Sequence, residues 1–138
     1  MCLFSEKNCV KEILDYCPDE FVCYKVLVVI GIGGNYFLKS PFYGMTYGIG
    51  VNKSDATQRS PHLSNTWKIV YEGIHVFLTK ESASNYKSFG EVIVKVIARK
   101  KDLLGADRNH AVFKKVELTK EEYRRVIKNI KRRKKQCV

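Results

Sequence analysis

The stretch Phe21-Val-Cys-Tyr-Lys-Val-Leu-Val-Val-Ile30 constrains the fold more than any other part of the chain. It is rich in β-branched residues and apolar almost throughout, and Val26 to Ile30 is its longest unbroken apolar run. A segment of this kind is stable as a central strand with both faces covered, so the chain must assemble a sheet around it. The run is far short of the roughly 20 apolar residues that cross a bilayer, and no membrane span is expected. A length of 138 residues suits one domain, since either half alone would hold too small a core. With 45% hydrophobic and 28% charged residues the chain is globular rather than disordered.

The flanking segments read as alternating helices and strands. Ser5 is placed to cap a first helix whose Val10, Ile13, Leu14 and Cys17 share one face, and Pro18 ends it. Residues 31–66 hold six glycines, two prolines and several tyrosines and phenylalanines, which predicts turns and short strands, with Asn52 to Asn65 an exposed loop. Trp67–Tyr71 and Ile74–Leu78 read as strands, and Thr79 caps a short helix through Tyr86. Val92, Val94, Val96 and Ala98 alternate along Glu91–Arg99, a strand with one apolar face. A loop containing Gly105 leads to a last strand at Ala111–Leu118. Thr119-Lys-Glu-Glu122 has capping-box spacing, and Tyr123, Val126, Ile127 and Ile130 form an apolar stripe on the helix that follows. The fold class is α+β: a mainly antiparallel, twisted sheet with N-terminal and C-terminal helices. The domain is expected to span residues 1–130, with 131–138 a basic extension that projects or frays.

Charge is uneven. Residues 119–138 carry nine Lys or Arg against two Glu, while the rest holds sixteen against twelve acids. Positive charge therefore reads as a property of the C-terminal helix. Lys131, Arg132, Arg133, Lys134 and Lys135 are the candidate nucleic-acid-binding residues, set against the alternative of a solvated helix end. The five cysteines are odd in number and show no Cys-x-x-Cys pair, and the three histidines are scattered. That argues against a disulfide framework or a metal site, and with no secretory leader in view it points to an intracellular, cytoplasmic protein with reduced thiols. Val28-Val-Ile-Gly-Ile-Gly-Gly-Asn35 invites a dinucleotide-fold reading, but Tyr36 occupies the place of the third glycine and no helix follows. No nucleophile constellation stands out.

The segment Tyr71-Glu-Gly-Ile-His-Val-Phe-Leu-Thr-Lys-Glu-Ser-Ala-Ser-Asn-Tyr86 joins a strand to a helix bearing Ala83 and Tyr86. Through Gly73-Ile-His-Val76, Ala83, Val92 to Val96 and Asp102-Leu103, the chain resembles a loosely defined group of phage and large-virus domains. That group includes the C-terminal part of phage rIIB-type proteins. Ser40-Pro-Phe-Tyr-Gly-Met-Thr-Tyr-Gly-Ile-Gly50 is similar to a Tyr-x-x-Gly stretch upstream in it. This resemblance implies a viral protein acting in the host cell on a host or defence pathway.

More distantly, the same segment resembles the ADP-ribosyltransferase-like fold, with His75 where that family usually has tyrosine. The resemblance implies a nucleotide-binding scaffold with NAD or another nucleotide as ligand, and tyrosines along the nicotinamide pocket. By it, Tyr43, Tyr47, His75 and Tyr86 are candidate ligand-binding residues. Glu117, ahead of Glu91, is the candidate catalytic carboxylate of a transferase. The plain alternative is that Ile74, Val76 and Leu78 are core and that Ala83 and Tyr86 form an ordinary packed helix face. Three functions stay open: nucleotide-ligand binding with or without transfer, nucleic-acid association through the basic helix, and a structural protein-interaction role.

Overall fold

The computed structural model describes residues 3–41, 45–63, 68–70 and 72–136, apart from the side chains of residues 68 and 134–136. In chain order come β1 (Leu3–Ser5), α1 (Lys7–Tyr16), β2 (Glu20–Ile32), β3 (Asn35–Lys39), β4 (Thr46–Tyr47) and β5 (Gly50–Lys53). Next are β6 (Lys68–Val70), β7 (Ile74–Phe77), α2 (Lys80–Tyr86) and β8 (Glu91–Arg99). A short 3-10 turn, Lys100–Asp102, leads to β9 (Leu103–Ala106), β10 (His110–Phe113), β11 (Lys115–Leu118) and α3 (Lys120–Gln136). Every strand pairing among the described residues is antiparallel, and the class is α+β.

The spine is β2. One edge pairs with β8 from Glu20 opposite Arg99 to Val28 opposite Glu91. The other edge is shared: Tyr24 lies opposite Phe77 of β7, and β3 takes over from Val28 opposite Lys39. Through β7 the sheet continues to β10 and β9, and through β8 it continues to β11 and β5. β3 also pairs with β4, and β4 runs through a bend into β5, which pairs with β11 at the other end of the strand order. Asn52 holds the bend. Its carboxamide accepts from the Gly48 N–H at 3.0 Å and donates to the Gly48 carbonyl at 2.9 Å.

Alternation sorts the faces. Cys23 and Leu27 of β2, Val94 and Val96 of β8, Ile74 and Val76 of β7, and Val116 and Leu118 of β11 enter the main core. Val10 and Ile13 of α1 and Val126 and Ile130 of α3 join it. On the opposite face of β2, Val26 packs with Phe77 and with Ala83 of α2. A third cluster gathers Leu3, Ala56, Val70, Leu104 and Val112 where the β1–β6 ribbon meets β9 and β10.

Several local expectations change. Ser5 belongs to β1, fully buried, with its hydroxyl accepting from the Ala106 N–H at 3.1 Å, and the helix cap falls on Glu6. Residues 31–39 are a regular hairpin, because Gly33 and Gly34, at φ of 58° and 84°, adopt the left-handed conformation that a tight two-residue turn demands. Asn52, Ala56 and His62 are buried, so the segment expected as an exposed loop packs in part. Leu103–Ala106 is a strand, and Ala111–Leu118 divides at Lys114 into two strands. The Thr119 hydroxyl accepts from the Glu122 N–H at 3.2 Å, but Glu122 does not reach back. Its carboxylate accepts from the Lys95 N–H at 2.7 Å and from Arg125, so α3 covers a stretch of β8 edge that β11 leaves open. The helix then runs past Ile130 to Gln136, with Lys131, Arg132 and Arg133 exposed.

Candidate ligand cleft

The handover along the β2 edge opens a gap. Between the pairs Tyr24–Phe77 and Val28–Lys39, β7 and β3 diverge, and a cleft fills the space between them. Lys25 and Val26 line it from β2, and Gly73, His75 and Phe77 from the β7 segment. Ser40 and Pro41 border it after β3, with Met45 and Tyr47 around β4 and Tyr86 from α2. Its free volume is about 50 Å³. Lys25, Val26, Tyr47, His75 and Phe77 are buried, whereas Ser40, Pro41, Met45 and Tyr86 keep solvent exposure and mark the open side.

Lys25 is the unusual member. It points to the same face as Cys23 and Leu27, and the residue is 8% exposed. Its Nζ donates to the His75 carbonyl at 2.8 Å. An ammonium has three donors, and no carboxylate among the described residues pairs with this one. Burial disfavours the charged form and lowers the amine from 10.5 to about 8. Burial also pushes the Tyr47 hydroxyl well above its usual range. Tyr86 is shifted upward by burial and then by the negative charge of Glu91. The rings of Tyr86 and Phe77 lie 5.0 Å apart, and His110 sits 4.6 Å beyond Phe77. These contacts hold one aromatic wall in place.

Gly73 shapes the floor. Its φ is +117°, and a Cβ there would lie 2.5 Å from Val112 Cγ1. Only glycine lets the chain enter β7 this close to β10.

Of the candidate ligand residues, Tyr47, His75 and Tyr86 border this one cleft, and Tyr43 lies outside the described residues. Glu117 is elsewhere. On β11 it stands opposite Ile97 of β8 and Val51 of β5, and its carboxylate accepts from Arg99 at 3.0 Å. Arg99 also binds Glu20 at 3.0 Å, so Glu117 completes an inter-strand ion-pair group. Strand alternation turns it away from the buried Val116 and Leu118, and it is not among the residues lining the cleft. Glu91 does not line it either. No group of three potential metal ligands occurs among the described residues.

The basic helix divides its cations. Lys131 and Arg132 border an outer surface with Tyr123 and Lys128, whereas Arg133 turns toward a groove shared with Arg125 and body lysines. Lys134 and Lys135 belong to the helix, but their side chains lie outside the described set. Sequence reasoning missed Lys25, although a single lysine inside an apolar run is itself a signal. No helix among the described residues is long and apolar enough to cross a membrane. No family model, curated protein or solved structure matches the chain.

Proposed function

We propose that the cleft binds the anionic end of a small planar ligand of nucleotide type. The observation that supports this reading is Lys25, a buried amine bound to the His75 carbonyl and to no carboxylate among the described residues, facing a space bordered by His75, Tyr47 and Tyr86. A phosphate or carboxylate in that space would take the remaining Lys25 donors and neutralise the buried charge. The enclosed volume of about 50 Å³ suits an end group and is well below the roughly 300 Å³ of pockets that enclose a whole drug-sized ligand. The flat part of the ligand would then lie on the open side, against Tyr86 and Pro41. The reading stops at binding, because transfer chemistry would call for a carboxylate in the cleft.

Native mass spectrometry of protein purified without added ligand, followed by calorimetric titration with NAD and adenine nucleotides, tests this. Binding by the wild type and its loss in Lys25→Met, whose thermal midpoint is not lowered, and in Tyr86→Ala, whose circular dichroism is unchanged, supports the site. Equal binding by wild type and Lys25→Met, or binding by neither, removes it.

A further inference from the structure

The body of the chain carries only a small excess of positive charge, yet the fold concentrates part of it. Lys80 and Lys87 at the two ends of α2, Lys95 of β8 and Arg125 and Arg133 of α3 surround one groove with a free volume of about 310 Å³. Its floor is apolar, formed by Ile93, Val126 and Ile130, and Tyr24 of β2 adds a partly exposed aromatic ring. All five cations are exposed. Arg125 is engaged by Glu122. Lys80, Lys87 and Arg133 form no ion pair among the described residues, and Lys95 acts at longer range on the Glu122 carboxylate. Cations gathered in this way across one recess repel one another, and a polyanion relieves that repulsion.

We propose that this groove binds the phosphate backbone of a single-stranded nucleic acid. The groove is recessed between α2 and α3, where a flexible strand can enter and a flat lipid surface cannot. Cations along the walls and an aromatic at the base form the arrangement that tracks phosphates and stacks a base. The site is distinct from the Lys25 cleft: Tyr24 and Lys25 point to opposite faces of β2, and α2 gives Tyr86 to the cleft and Lys80 and Lys87 to the groove. It also differs from a simple basic tail, since Lys80, Lys87 and Lys95 precede α3.

Fluorescence anisotropy with a labelled oligothymidylate of about 12 nucleotides, within the usual span of single-strand sites, measures the interaction. With four phosphates neutralised, the logarithm of affinity is expected to fall against that of salt with a slope of roughly 3. Lys87→Glu with Lys95→Glu should weaken binding by roughly tenfold or more at low salt and flatten that slope. Lys128→Glu with Lys131→Glu makes the same change in net charge on the outer face of α3, and should weaken binding by no more than about threefold. Lys80→Glu is a second groove variant, and unchanged circular dichroism and thermal midpoints confirm that all variants fold. Equal losses from the two double variants would overturn the groove, since only net charge would then matter. Absence of oligonucleotide binding by the wild type at low salt would overturn it as well. Tighter binding of a duplex of the same length would overturn the single-strand assignment.

Discussion

Replacing Lys25 with methionine should stabilise the protein at neutral pH and destabilise it in strong base. The unfolded chain holds the Lys25 proton up to about 10.5, while the folded protein releases it near 8. Between those values the unfolded state binds more protons, so raising the pH favours the folded state; below 8 the full cost of burying the charge is present. The gap corresponds to about 3 kcal/mol. Methionine removes that cost and fills similar volume, but it leaves the His75 carbonyl without its Lys25 donor, a loss of about 1 kcal/mol. At pH 7 the variant should therefore be more stable by about 2 kcal/mol, raising the thermal midpoint by roughly 5–8 °C for a chain of this size. Above pH 10.5 only the lost hydrogen bond remains, and the order reverses. Other groups titrate there too: burial pushes the Cys23 thiol up to about 12 and raises the Tyr47 hydroxyl, so both proteins lose stability in base. Those effects are common to the pair and cancel in the difference. Urea unfolding of both proteins at intervals from pH 7 to 11 gives that difference directly. A difference that does not change with pH would refute the buried, proton-releasing lysine.

Val94 is fully buried in the main core, and Val94→Asp should cost several kcal/mol and abolish cooperative unfolding; an unchanged urea midpoint would refute the assignment of β8 as core. Deleting Lys131 to Val138 removes no residue of the apolar stripe, which ends at Ile130, and should shift stability by no more than about 0.5 kcal/mol; an unfolded product would mean that the end of the helix is docked. Gly73→Ala meets both a positive φ and Val112, so a loss of roughly 1–3 kcal/mol in urea unfolding is expected, and a neutral result would contradict the close approach of β7 and β10. Burial opposes ionisation of Glu122, but Arg125 and the Lys95 N–H outweigh it and hold its carboxyl below the usual 4.5. The advantage of wild type over Glu122→Gln should thus be full above 4.5 and fade as acid protonates the carboxylate; a gap of constant size down to low pH would refute it.

The sequence reveals elements whose periodicity is local and hides those that depend on distant partners. β8 was legible because Val92, Val94, Val96 and Ala98 alternate within one strand, and α3 because Val126 and Ile130 share a face. The β2–β3 hairpin was hidden by its own turn, since Gly33-Gly34 sits in a run of glycines that reads as irregular until Asn35–Lys39 is seen paired. Glu117 looked available as a lone acid on a late strand. Its partner Arg99 lies across a sheet whose order no local pattern reveals. Tyr47, His75 and Tyr86 follow in the sequence only from a resemblance, and the long-range pairing of β2 puts them beside one space. Lys25 completes that space through the same pairing, since the edge passes from β7 to β3 just beyond it. The groove leaves no local trace, because Lys80, Lys87, Lys95 and Arg133 converge only when α2 and α3 both approach β8.

Where sequence preference and fold agree, stability explains the residues, and over most of this chain they do. The exceptions are concentrated at one point. Lys25 stands in a central strand on a core-facing position where an aliphatic residue would be more stable. Gly73, at φ +117°, brings β7 against β10 in a conformation that costs other residues strain. Beside them the sheet divides, leaving part of the β2 edge between its β7 and β3 pairings. Local rules are broken together where a structure serves something other than its own stability. The anion proposed for the cleft would meet a buried amine there and would supply the charge partner that is absent among the described residues. Stability conceded at Lys25 would return as binding energy if an anion fills the cleft, and this is the physical argument behind the proposed site.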